Sequence, residues 1–204
     1  LGLLSSRLVS DMLACLNPTI EFQTGNIATI PVVAGILEPS FKGAATNIVK
    51  EAVTTARADW DNFETSWDFR DQPLLRPGLK GATLEASWRN WEAQSTAAIR
   101  RMQELETENN RLFIAAYGLD GELQPTVPEE QITLARADAR RDMAAFLSYA
   151  VGCMMGRFSL DAPGLILANV GDTLKDYVRI VTAKTVGSEQ EAVSSKTADR
   201  QLPT

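Results

Sequence analysis

The stretch TLEASWRNWEAQSTAAIRRMQELETENNRLFIAAY, residues 83–117, decides the fold of this chain. Within it Leu84, Trp88, Trp91, Ser95, Ala98, Met102, Leu105, Asn109, Leu112 and Ala116 follow one another at alternating steps of four and three residues. That spacing brings them to one side of a helix and is the a/d pattern of a helix packed along another. Thr83 supplies an N-cap hydroxyl, and Gly118 a residue that leaves the helix in a left-handed conformation. Ser95 and Asn109 interrupt the apolar seam, which predicts a nearby helix as partner rather than a long dimeric zipper.

The partner is expected just downstream. Leu134–Met155 carries a broad apolar face of Ala139, Met143, Phe146, Leu147, Ala150, Cys153 and Met154, and Gly156 stops it. Small residues at Ala144, Ala145 and Gly152 favour close helix approach. With Pro125–Glu130 as an acidic turn at the tip, the pattern predicts an antiparallel helical hairpin. Upstream, Leu4, Leu8, Met12 and Cys15 share one face of a first helix, stopped by Asn17-Pro18. Ile20–Phe22 and Ile27–Val33 read as two short strands joined at Gln23-Thr24-Gly25-Asn26, with Pro31 limiting the second to an edge. A helix is expected from about Gly43 to Asp68, after a boundary at Glu38-Pro39-Ser40, and Asp71–Gly81 reads as a loop. The expected fold class is mainly α: a long antiparallel helical hairpin plus further helices, with a small β-hairpin element near the N-terminus.

Trp60, Phe63 and Trp67 fall at i, i+3 and i+7 if that helix continues, which predicts a packed aromatic stripe. Stacking on nucleic-acid bases calls for interleaved basic residues, whereas Asp59, Asp61, Glu64 and Asp68 are acidic. The same stretch, ARADWDNFETSWDF at 56–69, resembles a segment of the PglX family, the adenine-specific DNA methyltransferases of BREX phage-defence systems. Three further blocks resemble that family in the same order. They are LNPTIEFQTGNIATIPV at 16–32, the run from Leu105-Glu106 through NRLFI at 110–114 to Tyr117-Gly118-Leu119, and FLSYAVGCMMGRFSLD at 146–161.

The resemblance implies a parent protein that transfers a methyl group from S-adenosylmethionine to adenine N6 in DNA, marking host DNA during phage defence. Residues 1–37 are then the end of the methyltransferase and target-recognition region, and 38–82 a helix with the tryptophan stripe and a loop. Residues 83–160 are the helical hairpin, and 161–204 a weakly structured tail. The chain begins without Met inside an apolar helical pattern, so it reads as a fragment from the C-terminal half of the parent, lacking the catalytic core.

The residues agree that chemistry lies elsewhere. The chain has no histidine, which removes Ser-His-Asp chemistry, His-based zinc sites and the commonest general base. Asn17-Pro18-Thr19-Ile20 differs from the Asn-Pro-Pro-Tyr/Phe motif of adenine methyltransferases, lacking the aromatic that stacks on a flipped base. Gly118-Leu119-Asp120-Gly121 follows a helix and reads as a cap, not a cofactor loop. No catalytic, cofactor-binding or metal-ligating residue is assigned, and no cofactor is expected in this chain. Glu104, Glu106, Glu108, Glu129 and Glu130 read as a solvated face. Arg136, Arg140 and Arg141 read as partners of Asp138 and Asp142 on a helix surface, and Arg157 as a C-terminal cap.

The net charge of −6 argues against a dedicated phosphate-binding surface, so DNA contact must be local. The candidates are Arg70, Arg76 and Lys80 in the Pro- and Gly-rich loop. With no long apolar run and no cleavable leader, no membrane span is expected. Cys15 and Cys153 read as reduced core thiols of a cytoplasmic protein. The expected partners are DNA, through the parent enzyme, and other BREX proteins. The alternative is a non-catalytic helical module that docks proteins through the seam or the tryptophan stripe.

Overall fold

The structure, a computed structural model, describes residues 1–16 and 24–185. It is mainly helical, with α1 (Arg7–Leu16), α2 (Thr24–Ala28), α3 (Pro39–Trp60), α4 (Leu84–Ala116) and α5 (Ala139–Met154). A further helical run covers residues 174–185, and there is no strand among the described residues. None of the described helices is long and apolar enough to cross a membrane. The chain divides into two compact units, each made of two separate stretches: Leu1–Asp59 with Gln94–Arg136, and Trp60–Ala93 with Ala137–Thr204.

Helix α4 forms where the heptad pattern predicts it. Thr83 Oγ1 accepts from the Ala86 N–H at 3.1 Å, the N-cap bond. At the other end Gly118, at φ +68°, turns the chain so that Leu119 N–H reaches Ile114 O (3.0 Å) and Gly118 N–H reaches Ala115 O (3.0 Å).

In the first unit α4 has two partners. Helix α3 runs antiparallel to α4: Phe41 meets Phe113 edge-on at 5.2 Å, and further along Glu51 pairs with Arg101 at 2.6 Å. The second partner is not a helix. Residues 123–136 cross α4 as an extended strap with one 3-10 turn at Glu129–Gln131, burying Val127, Ile132 and Leu134 against Ile99 and Met102. Extended chain must find outside partners for its polar backbone groups, and α4 side chains provide them. Asn110 Nδ2 donates to Pro125 O (3.0 Å), Gln103 Nε2 to Val127 O (2.7 Å) and Ser95 Oγ to Ala135 O (2.8 Å). Asn109 Nδ2 donates to Gly2 O at 2.9 Å. The polar residues that interrupt the seam are thus the anchor points of non-helical backbone.

Three expectations are corrected here. The helical hairpin is not formed as predicted: α5 starts at Ala139 rather than Leu134, because Ile132 and Leu134 are committed to the strap. The β-hairpin is absent from the part that can be read. Residues 20–22 lie outside the described residues, while 24–28 are helical and Ala34–Leu37 form a 3-10 turn. Local bonds close this segment on itself, Thr29 Oγ1 to Asn26 O (2.7 Å) and Ile30 N–H to Ile27 O (3.2 Å). Ile30 then packs on Val9 and Leu13 of α1. That helix buries Leu8, Val9 and Leu13, whereas Leu4 and Cys15 are exposed, so Cys15 is not a core thiol.

Candidate nucleic-acid interface

Helix α3 ends at Trp60, eight residues short of the expected stop at Asp68, and the second unit begins. The chain then winds through successive turns, Phe63 N–H to Trp60 O (3.3 Å), Ser66 N–H to Phe63 O (2.9 Å) and Phe69 N–H to Ser66 O (3.4 Å). Ser66 drives this departure: its hydroxyl donates to Asp61 Oδ1 at 2.6 Å and accepts from Asp68 N–H at 3.1 Å. Such local side-chain bonds offer the backbone an alternative to the helix. The packed aromatic stripe is therefore corrected: Trp60 is 59% exposed and Trp67 fully exposed. Phe69 turns inward instead, 6% exposed, edge-on to Tyr149 at 6.0 Å and to Phe158 at 5.5 Å.

This aromatic cluster holds the loop from below. Gly152 makes room for it, since a Cβ there would lie 2.6 Å from Phe158. Burial pushes the Tyr149 phenol and the Cys153 thiol upward, keeping both neutral at physiological pH. Tyr149 donates its hydroxyl proton to Ser159 O at 3.1 Å. Helix α5 ends on Gly156 at φ +76°, with Arg157 N–H on Gly152 O at 2.8 Å. The capping expected of Arg157 comes from its backbone, and its guanidinium lies over the Phe158 ring, 5.2 Å from the centroid.

A second anchor is Asp142, which sequence reasoning placed on the surface. Its carboxylate is buried and Oδ2 accepts from Trp88 Nε1 (3.1 Å), Trp91 Nε1 (3.2 Å) and the Asp138 N–H (3.0 Å). Arg141 pairs with Oδ1 at 3.3 Å, which bears out that pairing but not its surface setting. Asp138 caps α5 in turn, accepting from Arg141 N–H at 2.7 Å. Around this hub Trp91 packs with Leu74 and Leu79, flanked by Met143 and Phe146, fixing the 70–80 loop to the start of α4.

The three basic candidates have different surroundings. Arg70 is exposed, and its carbonyl accepts from Gly164 N–H at 2.6 Å. Lys80 is exposed beside Gly81, whose N–H is held by Ser87 Oγ at 2.9 Å. Arg76 is half-buried and spent on the loop itself, donating to Asn62 Oδ1 at 2.6 Å and pairing with the Asp71 carboxylate. Among the arginines expected to pair with acids, Arg136 holds the carbonyls of Glu129 (2.6 Å) and Ile132 (3.2 Å) in the first unit's strap.

Beside the exposed loop lies a cleft of about 200 Å³ lined by Glu64, Thr65, Ser66, Trp67, Phe69, Arg157, Phe158 and Leu165. Sequence reasoning missed it, because its walls come from segments some ninety residues apart (67 and 157). The hydroxyls of Thr65 and Ser66 amid Asp61, Glu64 and Asp68 were the available signal that the helix would break there.

Two curated relatives align with most of this chain. The adenine-specific methyltransferase PglX of Lacticaseibacillus casei (strain Zhang) is 33% identical over 171 residues, covering 82% of this chain and 14% of its own length. The adenine-specific methyltransferase BrxX of Escherichia coli O9:H4 (strain HS) is 26% identical over 189 residues, covering 84% of this chain and 15% of its own length. No protein-family model matches. The chain is thus related to adenine-specific methyltransferases and spans about one seventh of the length of these relatives. Within that class it is PglX-like, and the resemblance read from the four sequence blocks is borne out.

Proposed function

We propose that this chain is a DNA-engaging and scaffolding part of an adenine-specific DNA methyltransferase of a BREX phage-defence system, working in the cytoplasm. The observation that carries the proposal is its alignment, over more than four fifths of its length, with two adenine-specific methyltransferases. The proposal places the S-adenosylmethionine site and the target-adenine pocket in parts of the parent that this chain does not span. The second unit meets the DNA backbone through Arg70 and Lys80, while Arg76, already engaged with Asn62 and Asp71, shapes the loop that presents them.

The test is a fluorescence-anisotropy titration of the full chain with duplex DNA across a salt series. Each lost phosphate contact lowers the slope of log affinity against log salt by about 0.9. Replacing both Arg70 and Lys80 by Ala should lower it by about 1.8. An unchanged slope removes both residues from the interface.

A second reading, docking of another BREX protein or of another part of the parent, is favoured by the outer face of α5. Leu147, Val151 and Met154 recur there at i, i+4 and i+7 and are 62%, 56% and 83% exposed.

A further inference from the structure

The fully exposed Trp67 and the guanidinium of Arg157 border the same cleft of about 200 Å³ in the second unit. The cleft has an aromatic floor, since Phe69 and Phe158 line it at 6% and 3% exposure. Arg157 lies over the Phe158 ring with its guanidinium carbon 5.2 Å from the centroid, a cation–π contact that favours this placement of the charge. An exposed indole, an aromatic cavity and a nearby cation match what a single nucleotide offers: a flat face and a phosphate. The geometry points to a binding site for one unpaired nucleobase of a DNA strand, stacked on Trp67 with the adjoining phosphate against Arg157. The inference rests on the DNA-engaging reading above and adds to it a site for unpaired rather than duplex DNA.

The acidic setting that argued against stacking in the bare sequence is engaged in part: Glu64 lines the cleft and Asp68 is exposed, while Asp61 and Asp71 are held by the loop. Glu64 Oε1 is buried, and its other oxygen accepts from Ser148 Oγ at 3.4 Å. Asp61 accepts from Ser66, and Asp71 pairs with Arg76. Asp61 and Asp71 are therefore spent on building the loop. A partner protein's carboxylate would also pair with Arg157, and the loss of oligonucleotide binding in Trp67→Ala separates that occupant from a nucleotide.

The test titrates the full chain with a single-stranded oligonucleotide carrying 2-aminopurine and, in parallel, with a fully paired duplex. Stacking on Trp67 is expected to quench the 2-aminopurine emission. Trp67→Ala should weaken single-strand binding about 5- to 150-fold, the usual worth of one base–aromatic stack, and leave duplex affinity unchanged. Trp67→Phe should restore most of the loss. Arg157→Ala should lower the single-strand salt slope by about 0.7. Trp67 is fully exposed, so an unchanged circular dichroism melt is expected and separates a lost contact from a lost fold. If the wild-type chain binds DNA and Trp67→Ala binds the oligonucleotide equally well, the cleft assignment is overturned and Trp67 passes to a protein contact. If the wild-type chain binds neither probe, the DNA-engaging reading fails, and this inference with it.

Discussion

Asp142→Ala is expected to destabilise the chain by about 3 kcal/mol, seen as a fall of roughly 10 °C in the melting midpoint. The carboxylate is the shared acceptor for the indoles of Trp88 and Trp91 and for the Asp138 amide. Trp91 is 5% exposed, so water cannot replace the lost acceptor without opening the packing around Leu74 and Leu79. Leaving a buried donor unsatisfied costs about 1–3 kcal/mol. Asp142→Asn keeps the volume and one acceptor oxygen, and should lose clearly less than the alanine variant. A double-mutant cycle with Trp91→Phe checks the cause. Once the indole N–H is gone, the further cost of Asp142→Ala should shrink, whereas additive costs would show that the hydrogen bond is not what the carboxylate supplies.

Ile132→Ala should cost about 2–5 kcal/mol, measured by urea unfolding. Ile132 is 1% exposed and lies in the strap against Ile99 and Met102. Had a helical hairpin formed with its second helix starting at Leu134, Ile132 would sit beside an acidic surface turn. Truncation there would change stability by less than about 0.5 kcal/mol. The size of the effect therefore decides between the strap and the hairpin.

Those two sites also mark what could be read from the residues. Helix α4 was legible end to end because its determinants are local: the four–three spacing, Thr83 as cap and Gly118 as stop. The identity of its partners was not, since an apolar stripe accepts a helix or an extended strap equally well. Pro125 and Pro128 excluded helix from the connector, yet Val127, Ile132 and Leu134 are too apolar for a solvated tip. Taken together they describe buried extended chain. Ser95 and Asn109 carried the same message, because a polar residue in an apolar seam needs a backbone partner. The basic loop was legible in composition but not in detail: Arg76 could not be separated from Arg70 and Lys80 until Asn62 and Asp71 were seen beside it. The Trp67 cleft was illegible, because the two segments that wall it, around Trp67 and Arg157, are far apart in the chain and only the fold brings them together.

The central claim is that the second unit engages DNA through the loop following α3. Hydrogen–deuterium exchange of the full chain, with and without saturating duplex DNA, tests it most directly. The account predicts slowed exchange at the backbone amides of residues 66–82, with α4 beyond Gln94 and the strap unchanged. Slowed exchange confined to the strap and α3, or no change anywhere at saturation, would contradict it.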